Sequence, residues 1–396
     1  MTEPTPGRFR LVPMLPRDAD EEGRSAAPLE LFFDLVFIVA ISIAASELHH
    51  SLAEGNIASG LPAYLFAFFG IWWAWMNFTW FATSFANDDW LYRVLTFVQM
   101  GGVLILAAGI QLAFSDGDYV LVVSGYVVMR IGMVAQWLRA SRRAGELRQT
   151  TLIYAFGISA IQVLWVLWLF IPVSPLSTAG LLILIVAELS IPIVAERGAS
   201  TPWHPHHITE RYGLFTIIVL GESLLASANA IIEVLHGEED LTELIALSVL
   251  TLVVTASLWW IYFWPPHHRE ISTFARSLRY GYGHYIVLAA AAAVSAGVEV
   301  EIDSITGEAA IGETAASLTV ATPVAIFMLV IWWIALRESA KRVVNITLPA
   351  AAFLVLIDPV VPIPIAITSF VLVIVVVILV RNPPIDASEE RGHITT

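Results

Sequence analysis

The sequence predicts an all-α integral membrane protein, a polytopic helical bundle with about 12 transmembrane helices. Of its 396 residues, 58% are hydrophobic and only 14% are charged, and the mean hydropathy is +0.76. Soluble domains are roughly half apolar and about a quarter charged. Apolar runs of about 20 residues, the length that crosses a bilayer, recur along nearly the whole chain. The predicted spans are 28–48, 61–84, 92–114, 119–140, 150–172, 176–195, 209–233, 241–264, 280–298, 315–337, 343–357 and 361–381.

The number of spans depends on the eleventh. This span is short and contains Pro349, and proline in a helix interior removes a backbone hydrogen bond. Ten or eleven spans are therefore the alternatives to twelve.

Basic residues in the connections predict the orientation of the spans, because cytoplasmic loops are enriched in Lys and Arg. Alternate connections carry these residues, and we expect those connections and both termini to be cytoplasmic, in a prokaryotic plasma membrane. An even number of spans agrees with this orientation. The basic connections contain Arg93, Arg139, Arg142, Arg143, Arg148, Arg197, Arg211, Arg269, Arg276, Arg279, Arg337, Lys341 and Arg342. The other connections, predicted to be external, include His49, His50, Glu299, Glu301 and Asp303.

A weak internal repeat predicts two parallel halves of six helices. Ile71-Trp-Trp-Ala-Trp-Met in the second span resembles Leu258-Trp-Trp-Ile-Tyr-Phe in the eighth, and Glu30 matches Glu210. Parallel repeats of this kind occur in transporters, and a chance match between aromatic-rich helices is the alternative. The predicted organisation is a flexible cytoplasmic tail at 1–27, halves at 28–195 and 209–381, a cytoplasmic linker at 196–208 and a cytoplasmic tail at 382–396.

Several classes of function lack support in the sequence. The chain has no cysteine, which excludes disulfides and thiol chemistry. A formal charge of −14 argues against a nucleic-acid partner. The motifs of ATP-driven transport, dinucleotide binding and common hydrolases are absent from the sequence, so we expect no enzyme, no catalytic residues and no cofactor. Trp203-His-Pro-His-His207 and His267-His268 lack the spacing of a metal site, so we assign no metal and predict solvated cytoplasmic loops.

Two long segments carry a family resemblance. They are Pro28-Leu-Glu-Leu-Phe-Phe-Asp-Leu-Val-Phe-Ile-Val-Ala40 and Glu210-Arg-Tyr-Gly-Leu-Phe-Thr-Ile-Ile-Val-Leu-Gly-Glu-Ser223. Together they resemble the bacterial low temperature requirement protein A family, from about residue 28 to residue 381. The resemblance implies a polytopic membrane protein tied by name to growth in the cold. It implies neither a substrate nor a reaction.

Three charged residues are predicted to lie near the bilayer midplane. Glu222 is in the middle of the apolar seventh span, where a carboxylate is costly unless it is protonated, paired or hydrated. Arg130 in the fourth span is its expected partner, and Glu188 in the sixth span is at comparable depth. The functional interpretation is an ion-pair network that exchanges protons or binds a charged substrate. The alternative is a salt bridge that only locks helices together.

Glu30 and Asp34 lie four residues apart, on one face of the first span. Two carboxylates so placed repel each other unless a cation lies between them. We interpret Glu30 as a residue of the helix start, where acidic groups are favourable. Asp34, roughly 9 Å into the span at 1.5 Å per residue, is the functional candidate.

The seventh span carries a polar stripe at the helical period, with Arg211 at its start, Glu222 in its middle and Asn229 near its end. Such a stripe should face protein or water rather than lipid. The candidates for binding protons or substrate are Asp34, Arg130, Glu188, Glu222 and Asn229, and the helix-start motif comprises Glu30, Glu210 and Arg211.

Three functional hypotheses follow from these residues. The first is a proton-linked secondary transporter or permease of an unknown small solute or ion. The second is a membrane-embedded enzyme that modifies lipids through acidic residues, and the third is a non-catalytic scaffold or sensor. Membrane lipids are the expected surroundings, and a homo-oligomer is compatible with the sequence.

Overall fold

The computed structural model describes residues 11–234, 241–361 and 363–385, and every regular element in these ranges is helical. Each predicted span overlaps one α-helix, which confirms the all-α class. The helices are α1 (Pro28–Ala53), α2 (Ile57–Phe85), α3 (Trp90–Ser115), α4 (Val120–Ser141), α5 (Arg148–Trp168), α6 (Pro175–Ala195), α7 (Pro205–Val234), α8 (Leu241–Phe263), α9 (Phe274–Thr306), α10 (Glu313–Ile331), α11 (Arg342–Leu354) and α12 (Ala366–Arg381).

Length and composition make this a multi-pass membrane protein. Within the described ranges, eleven helical segments are long and apolar enough to cross a membrane, and α12 is a shorter apolar helix. The eleventh segment combines α11 with the 3-10 turn Val355–Val360 that continues it. The regular helix continues through Pro349 to Leu354 and has only 13 residues, in keeping with the short span that the sequence predicts.

Local signals fix several helix ends. Asp89 caps α3 by accepting a hydrogen bond from Tyr92 N, and Thr273 caps α9 by accepting one from Arg276 N. These side chains satisfy backbone donors that have no partner within the helix. Gly307 ends α9 at a φ of 80°, a conformation that glycine adopts without strain.

The chain divides into two compact units that do not coincide with the predicted halves. The first unit comprises Met1–Ala40 and Gly70–Arg211, and the second comprises Ile41–Phe69 and Tyr212–Thr396. Helices α1, α2 and α7 therefore contribute residues to both units. The parallel six-helix repeat stays a prediction.

The interior of the first unit is rich in aromatic side chains and glycine. The rings of Trp137 on α4 and Tyr154 on α5 stack with their centroids 4.2 Å apart. Helices α3 and α4 approach closely at Gly102 and Gly125, because a side chain at either position would collide with the other helix. Small residues permit such close approach of helices in membranes.

In the second unit, α9 packs most closely against α10. At Gly297 on α9, a Cβ atom would lie 2.4 Å from the backbone oxygen of Thr319 on α10. The adjoining interior is made of small and branched residues, including Val300 and Ala316, which share one buried cluster with Ala53 of α1.

Residues 11–27 are attached to the end of α2, although the sequence predicts a flexible tail there. Arg17 N donates to Ser84 O at 2.8 Å, and Arg24 Nη2 donates to Ala82 O at 3.0 Å. Met14 is buried. The remainder of the predicted tail, residues 1–10, and most of the C-terminal tail, residues 386–396, lie outside the described ranges.

Candidate functional site

Two acids of α1 surround one arginine of α7 in the first unit. Arg211 Nη2 lies 2.5 Å from Asp34 Oδ1, and Arg211 Nε donates to Asp34 Oδ2 at 3.1 Å. Arg211 Nη1 lies 3.4 Å from Glu30 Oε1. From α2, Trp75 Nε1 donates to Asp34 Oδ1 at 2.7 Å. Arg211 is thus the cation that two neighbouring carboxylates require.

A histidine completes this group, which we call the Asp34–Arg211 cluster (Glu30, Asp34, His207 and Arg211). His207 Nε2 lies 3.1 Å from Glu30 Oε2, which also accepts a hydrogen bond from Ala27 N at 2.7 Å. The four side chains of the cluster are at most 2% exposed. Glu30 is therefore both a helix-start residue, as expected, and a member of an ionic cluster.

Three polar atoms of the cluster lack a hydrogen bond to any described residue, although two of them, Arg211 Nη1 and Glu30 Oε1, form an ion pair with each other at 3.4 Å. Among the described residues, Glu30 Oε1, His207 Nδ1 and Arg211 Nη1 are buried without a hydrogen-bond partner. Buried polar groups are almost always paired, so unpaired ones are characteristic of functional sites or of places that take up a ligand or water.

The prediction about His207 is wrong. The sequence places His207 in a solvated loop, yet it is buried. The reason is that α7 begins at Pro205, before the predicted start at residue 209, so His207 falls on its first turn and faces α1. Arg211 lies within the predicted seventh span, at the start of its polar stripe, and it also contacts α1.

The contacts within this cluster also give the direction of α7. Glu30 contacts His207, and Asp34, one turn later on α1, contacts Arg211, one turn later on α7. The two helices therefore run in the same direction here. This agrees with an even number of membrane crossings between the start of α1 and the start of α7.

A second buried ion pair in the first unit joins α4 to α6. Arg130 Nη2 donates to Glu188 Oε2 at 3.5 Å, and the same nitrogen donates to the Tyr126 hydroxyl at 2.5 Å. Glu188 Oε2 also accepts from Trp73 Nε1 at 2.9 Å. Arg130 and Glu188 are at most 1% exposed. We call this group the Arg130–Glu188 cluster.

Both oxygens of Glu188 have donors. Gln162 Nε2 donates to Glu188 Oε1 at 2.9 Å, and Trp165 Nε1 donates to the same oxygen at 3.3 Å. With four donors from three helices, α2, α4 and α5, the carboxylate has little capacity left for a ligand. The carboxylate of Glu188 is therefore satisfied, although Arg130 Nε and Gln162 Oε1 are buried without a hydrogen-bond partner among the described residues. Hydrogen bonds that satisfy a buried group make the packing around it more rigid.

The other predicted site residues are not brought into these two clusters. Glu222, in the second unit, is partly buried and accepts a hydrogen bond from Ser42 Oγ at 2.7 Å. Asn229 is exposed. Glu210, in the first unit, is exposed and accepts from Ala26 N at 3.2 Å. The expected partner of Glu222 was Arg130, whereas the structure pairs Arg130 with Glu188.

The second unit contains a group of imidazoles and phenols that the sequence prediction missed. Tyr262 Oη lies 3.0 Å from His284 Nε2, and Tyr280 Oη lies 3.1 Å from His267 Nδ1. His267 Nε2 donates to Tyr262 O at 2.6 Å. Burial lowers the pKa of His267 to about 4, so it is neutral at physiological pH. The prediction of a solvated loop at His267 is wrong, because His267 begins a 3-10 turn and its ring packs against Tyr262 of α8 and Tyr280 of α9.

Acidic residues of α9 were also misplaced in the sequence analysis. Glu299, Glu301 and Asp303 belong to α9 rather than to a loop, because the helix continues to Thr306. His49 belongs to α1, and its two ring nitrogens lie 3.0 Å from Glu299 Oε2 and 2.6 Å from Asp303 Oδ2. In the part of the chain that the structure describes, no three such groups are arranged to hold a metal ion.

Comparison with known proteins places the chain in a family. The family described as Bacterial low temperature requirement A protein (LtrA) matches residues 25–380. The chain belongs to the LtrA family. A protein of Rhizobium meliloti (strain 1021), named only as uncharacterized, is 28% identical to this LtrA chain over 268 residues. That match covers 63% of the chain and 60% of the relative, which is less than two thirds of the relative's length.

The family assignment confirms the resemblance of the two sequence segments. The structure also shows which contacts these two segments of the LtrA chain make. Asp34 of the first segment contacts Arg211 of the second, and Ser42, just beyond the first segment, contacts Glu222 of the second.

Proposed function

We propose that this LtrA-family protein is a proton-linked secondary transporter or permease of a small solute or ion. The Asp34–Arg211 cluster carries the proposal. It holds three charged groups and a histidine in the membrane-spanning part of the chain, where ionisable residues are costly and commonly mark ion or proton pathways. Histidine is the side chain that ordinarily changes charge between pH 5 and 8.

The charges of the cluster explain how proton binding would be coupled. With neutral His207, two carboxylates face one guanidinium, and one negative charge is left uncompensated. A proton on His207 brings the total to zero and pairs Glu30 with an imidazolium, which releases Arg211 to Asp34 alone. Loss of the proton returns Arg211 to both acids. The position of the arginine is thus linked to the protonation of His207.

Atoms without a hydrogen bond support binding of a further ligand. Glu30 Oε1 and Arg211 Nη1 form an ion pair at 3.4 Å but no hydrogen bond, and His207 Nδ1 has no hydrogen-bond partner among the described residues. These groups suit a small polar or charged solute, which would compete with the proton for the same charges.

The Arg130–Glu188 cluster favours a structural role for part of the buried charge. Because four donors already satisfy Glu188, we propose that this pair locks α4 and α6 together. For this cluster we therefore keep the alternative named in the sequence analysis, a salt bridge that only locks helices together. The two clusters should therefore respond differently to substitution.

Proton flux in proteoliposomes tests the proposal. Vesicles containing the full-length protein and a trapped pH-sensitive dye are exposed in turn to Na⁺, K⁺, single amino acids, small organic acids and small amines. We expect at least one of these to drive proton movement with wild type, and His207→Gln to reduce its initial rate by an order of magnitude or more. Asp34→Asn should act in the same direction. Glu222→Gln tests another of the predicted candidates, which lies outside the cluster.

Glu210→Gln is the matched control, because Glu210 is an exposed acid on the same helix. It should retain the wild-type flux. Each variant is first checked for monodispersity and helical content. Folded His207→Gln protein with wild-type flux would rule out the proposed coupling, and the absence of proton movement with every solute would count against transport of these solute classes.

A further inference from the structure

Glu301 is a buried carboxyl group that the proposed function does not use. It lies on α9 in the second unit and is 2% exposed. In the described part of the chain, its Oε1 atom is buried and has no hydrogen-bond partner. The two other acids nearby on the helix, Glu299 and Asp303, are both engaged with His49.

The helix geometry places Glu301 against α10. Residues four apart lie on one face of a helix, and Gly297, one turn before Glu301, is in close contact with the backbone of Thr319 on α10. Ser317 on α10 donates to Asp358 Oδ2 at 2.9 Å. Asp358 and Glu313 lie within electrostatic range of Glu301.

Asp358 differs from Glu301 in its hydrogen bonds. Asp358 Oδ1 accepts from Thr368 N at 2.7 Å, in the first turn of α12, and Oδ2 accepts from Ser317. Both carboxyl oxygens of Asp358 therefore have a donor. Glu301 faces the same region with no donor to its buried oxygen, so its own negative charge would be both desolvated and repelled.

Among the described residues, the charged groups within electrostatic range of Glu301 are acidic and offer it no counter-ion. Asp358 comes from the 3-10 turn after α11, and Glu313, which is exposed, comes from α10. On α9 itself, Glu299 and Asp303 lie two residues to either side, on the face that contacts His49 of α1. The imidazole of His49 is thus already shared between two carboxylates.

We propose that Glu301 is a proton-binding site, because its carboxyl group is buried and one of its oxygens accepts no hydrogen bond in the described part of the chain. The proton forms an O–H bond on one carboxyl oxygen of Glu301 and leaves to water when the site is emptied. This inference concerns proton binding alone and does not depend on the transport proposal.

Infrared difference spectroscopy tests the inference on the full-length protein in lipid. A protonated carboxyl group has a C=O stretching band that the carboxylate lacks. We expect such a band at neutral pH in wild type, its loss as the pH is raised, and its absence in Glu301→Gln. Glu313→Gln, a change at an exposed acid of the same region, should keep the band. An unchanged band in Glu301→Gln would overturn the proposal.

Carbodiimide labelling provides a measurement that needs no variant. Hydrophobic carbodiimides react with protonated carboxyl groups in apolar surroundings. Mass spectrometry of labelled wild type should find the modification at Glu301 at neutral pH and lose it at alkaline pH, with Asp358 unlabelled. Labelling at Asp358 instead of Glu301 would contradict the assignment, as would protection of Glu301 by Na⁺ at constant pH, which would indicate a metal cation.

Discussion

Arg211 is the cation that compensates the buried carboxylates of the Asp34–Arg211 cluster. One guanidinium compensates two carboxylates, those of Glu30 and Asp34, and none of the three is more than 2% exposed. Ion pairs of this kind add little net stability, because desolvation offsets the attraction between the charges. Removing one partner is a different matter, since it leaves the other charges buried and unpaired.

We therefore expect Arg211→Gln to be strongly destabilising. The change leaves two buried carboxylates without their cation, and breaking a buried pair costs about 3–5 kcal/mol. Asp34→Asn in the same chain removes one of the stranded charges and should recover part of the loss. Arg211→Lys keeps the charge but not the planar fork that contacts both acids, so it should fall between wild type and Arg211→Gln. Thermal unfolding followed by circular dichroism in detergent measures the series.

Arg93→Gln is the control for this series. Its partner Asp88 lies 2.7 Å away, but both side chains are more than half exposed, and such surface pairs contribute little. Its unfolding midpoint should match that of wild type. If Arg211→Gln also matched wild type, the buried cluster would not be the ionic network described above.

At the scale of elements, the close packing of α3 and α4 depends on glycine. A Cβ atom at Gly125 would lie 2.3 Å from Leu106 N, and one at Gly102 would lie 2.7 Å from Gly125 O. These contacts are with backbone atoms, which cannot rotate away. The distance between the two helices is thus set by the absence of side chains at these two positions.

Gly125→Ala should push α3 and α4 apart and lower the unfolding midpoint. Overpacking in a close-packed interior typically costs about 1–3 kcal/mol, and here the clash is with backbone. Gly101→Ala is the matched control on α3, because its Cβ would have nothing within 4 Å. Thermal unfolding in detergent compares the two variants. Equal midpoints for both would show that the helices can separate without cost.

The sequence was sufficient to predict the helices but not their partners. A long run of apolar residues is a local property, so the sequence predicts a helix at each place where the structure has one of α1 to α12. The pairing of Asp34 with Arg211 joins residues 177 positions apart, and no local pattern encodes it. One signal was available: Glu30 and Asp34, one turn apart, required a cation, and the stripe of the seventh span began with Arg211.

Burial near helix ends was the least predictable feature. His207, His267 and Glu301 are polar and lie beside apolar runs, so the sequence placed them in solvated connections. Each is buried because a helix extends beyond the apolar run that predicted it, or because a neighbouring helix packs against the end of that run. The polarity of such residues gives no information about what covers them, which is why a buried proton site at Glu301 could not be predicted.

At the scale of the whole molecule, the open question is whether α12 crosses the membrane. Its 16 residues would span about 24 Å at 1.5 Å per residue, against about 30 Å for a bilayer core. A short span can be accommodated by local thinning of the bilayer. The basic Arg381 at its end favours a cytoplasmic position for that end, as the loop charges predict. If α12 crosses, the end of α12 lies on the same side of the membrane as the start of α1.

Single cysteines can decide this, because the natural chain contains none. We expect Asp118→Cys, at an exposed position between α3 and α4, to react with a membrane-impermeant maleimide on intact cells. Arg143→Cys, exposed between α4 and α5, should react only after permeabilisation. Asn382→Cys, directly after α12, should behave like Arg143→Cys if α12 crosses. Labelling of Asn382→Cys on intact cells would instead mean eleven crossings and an external C-terminus, and the even-numbered topology would have to be abandoned.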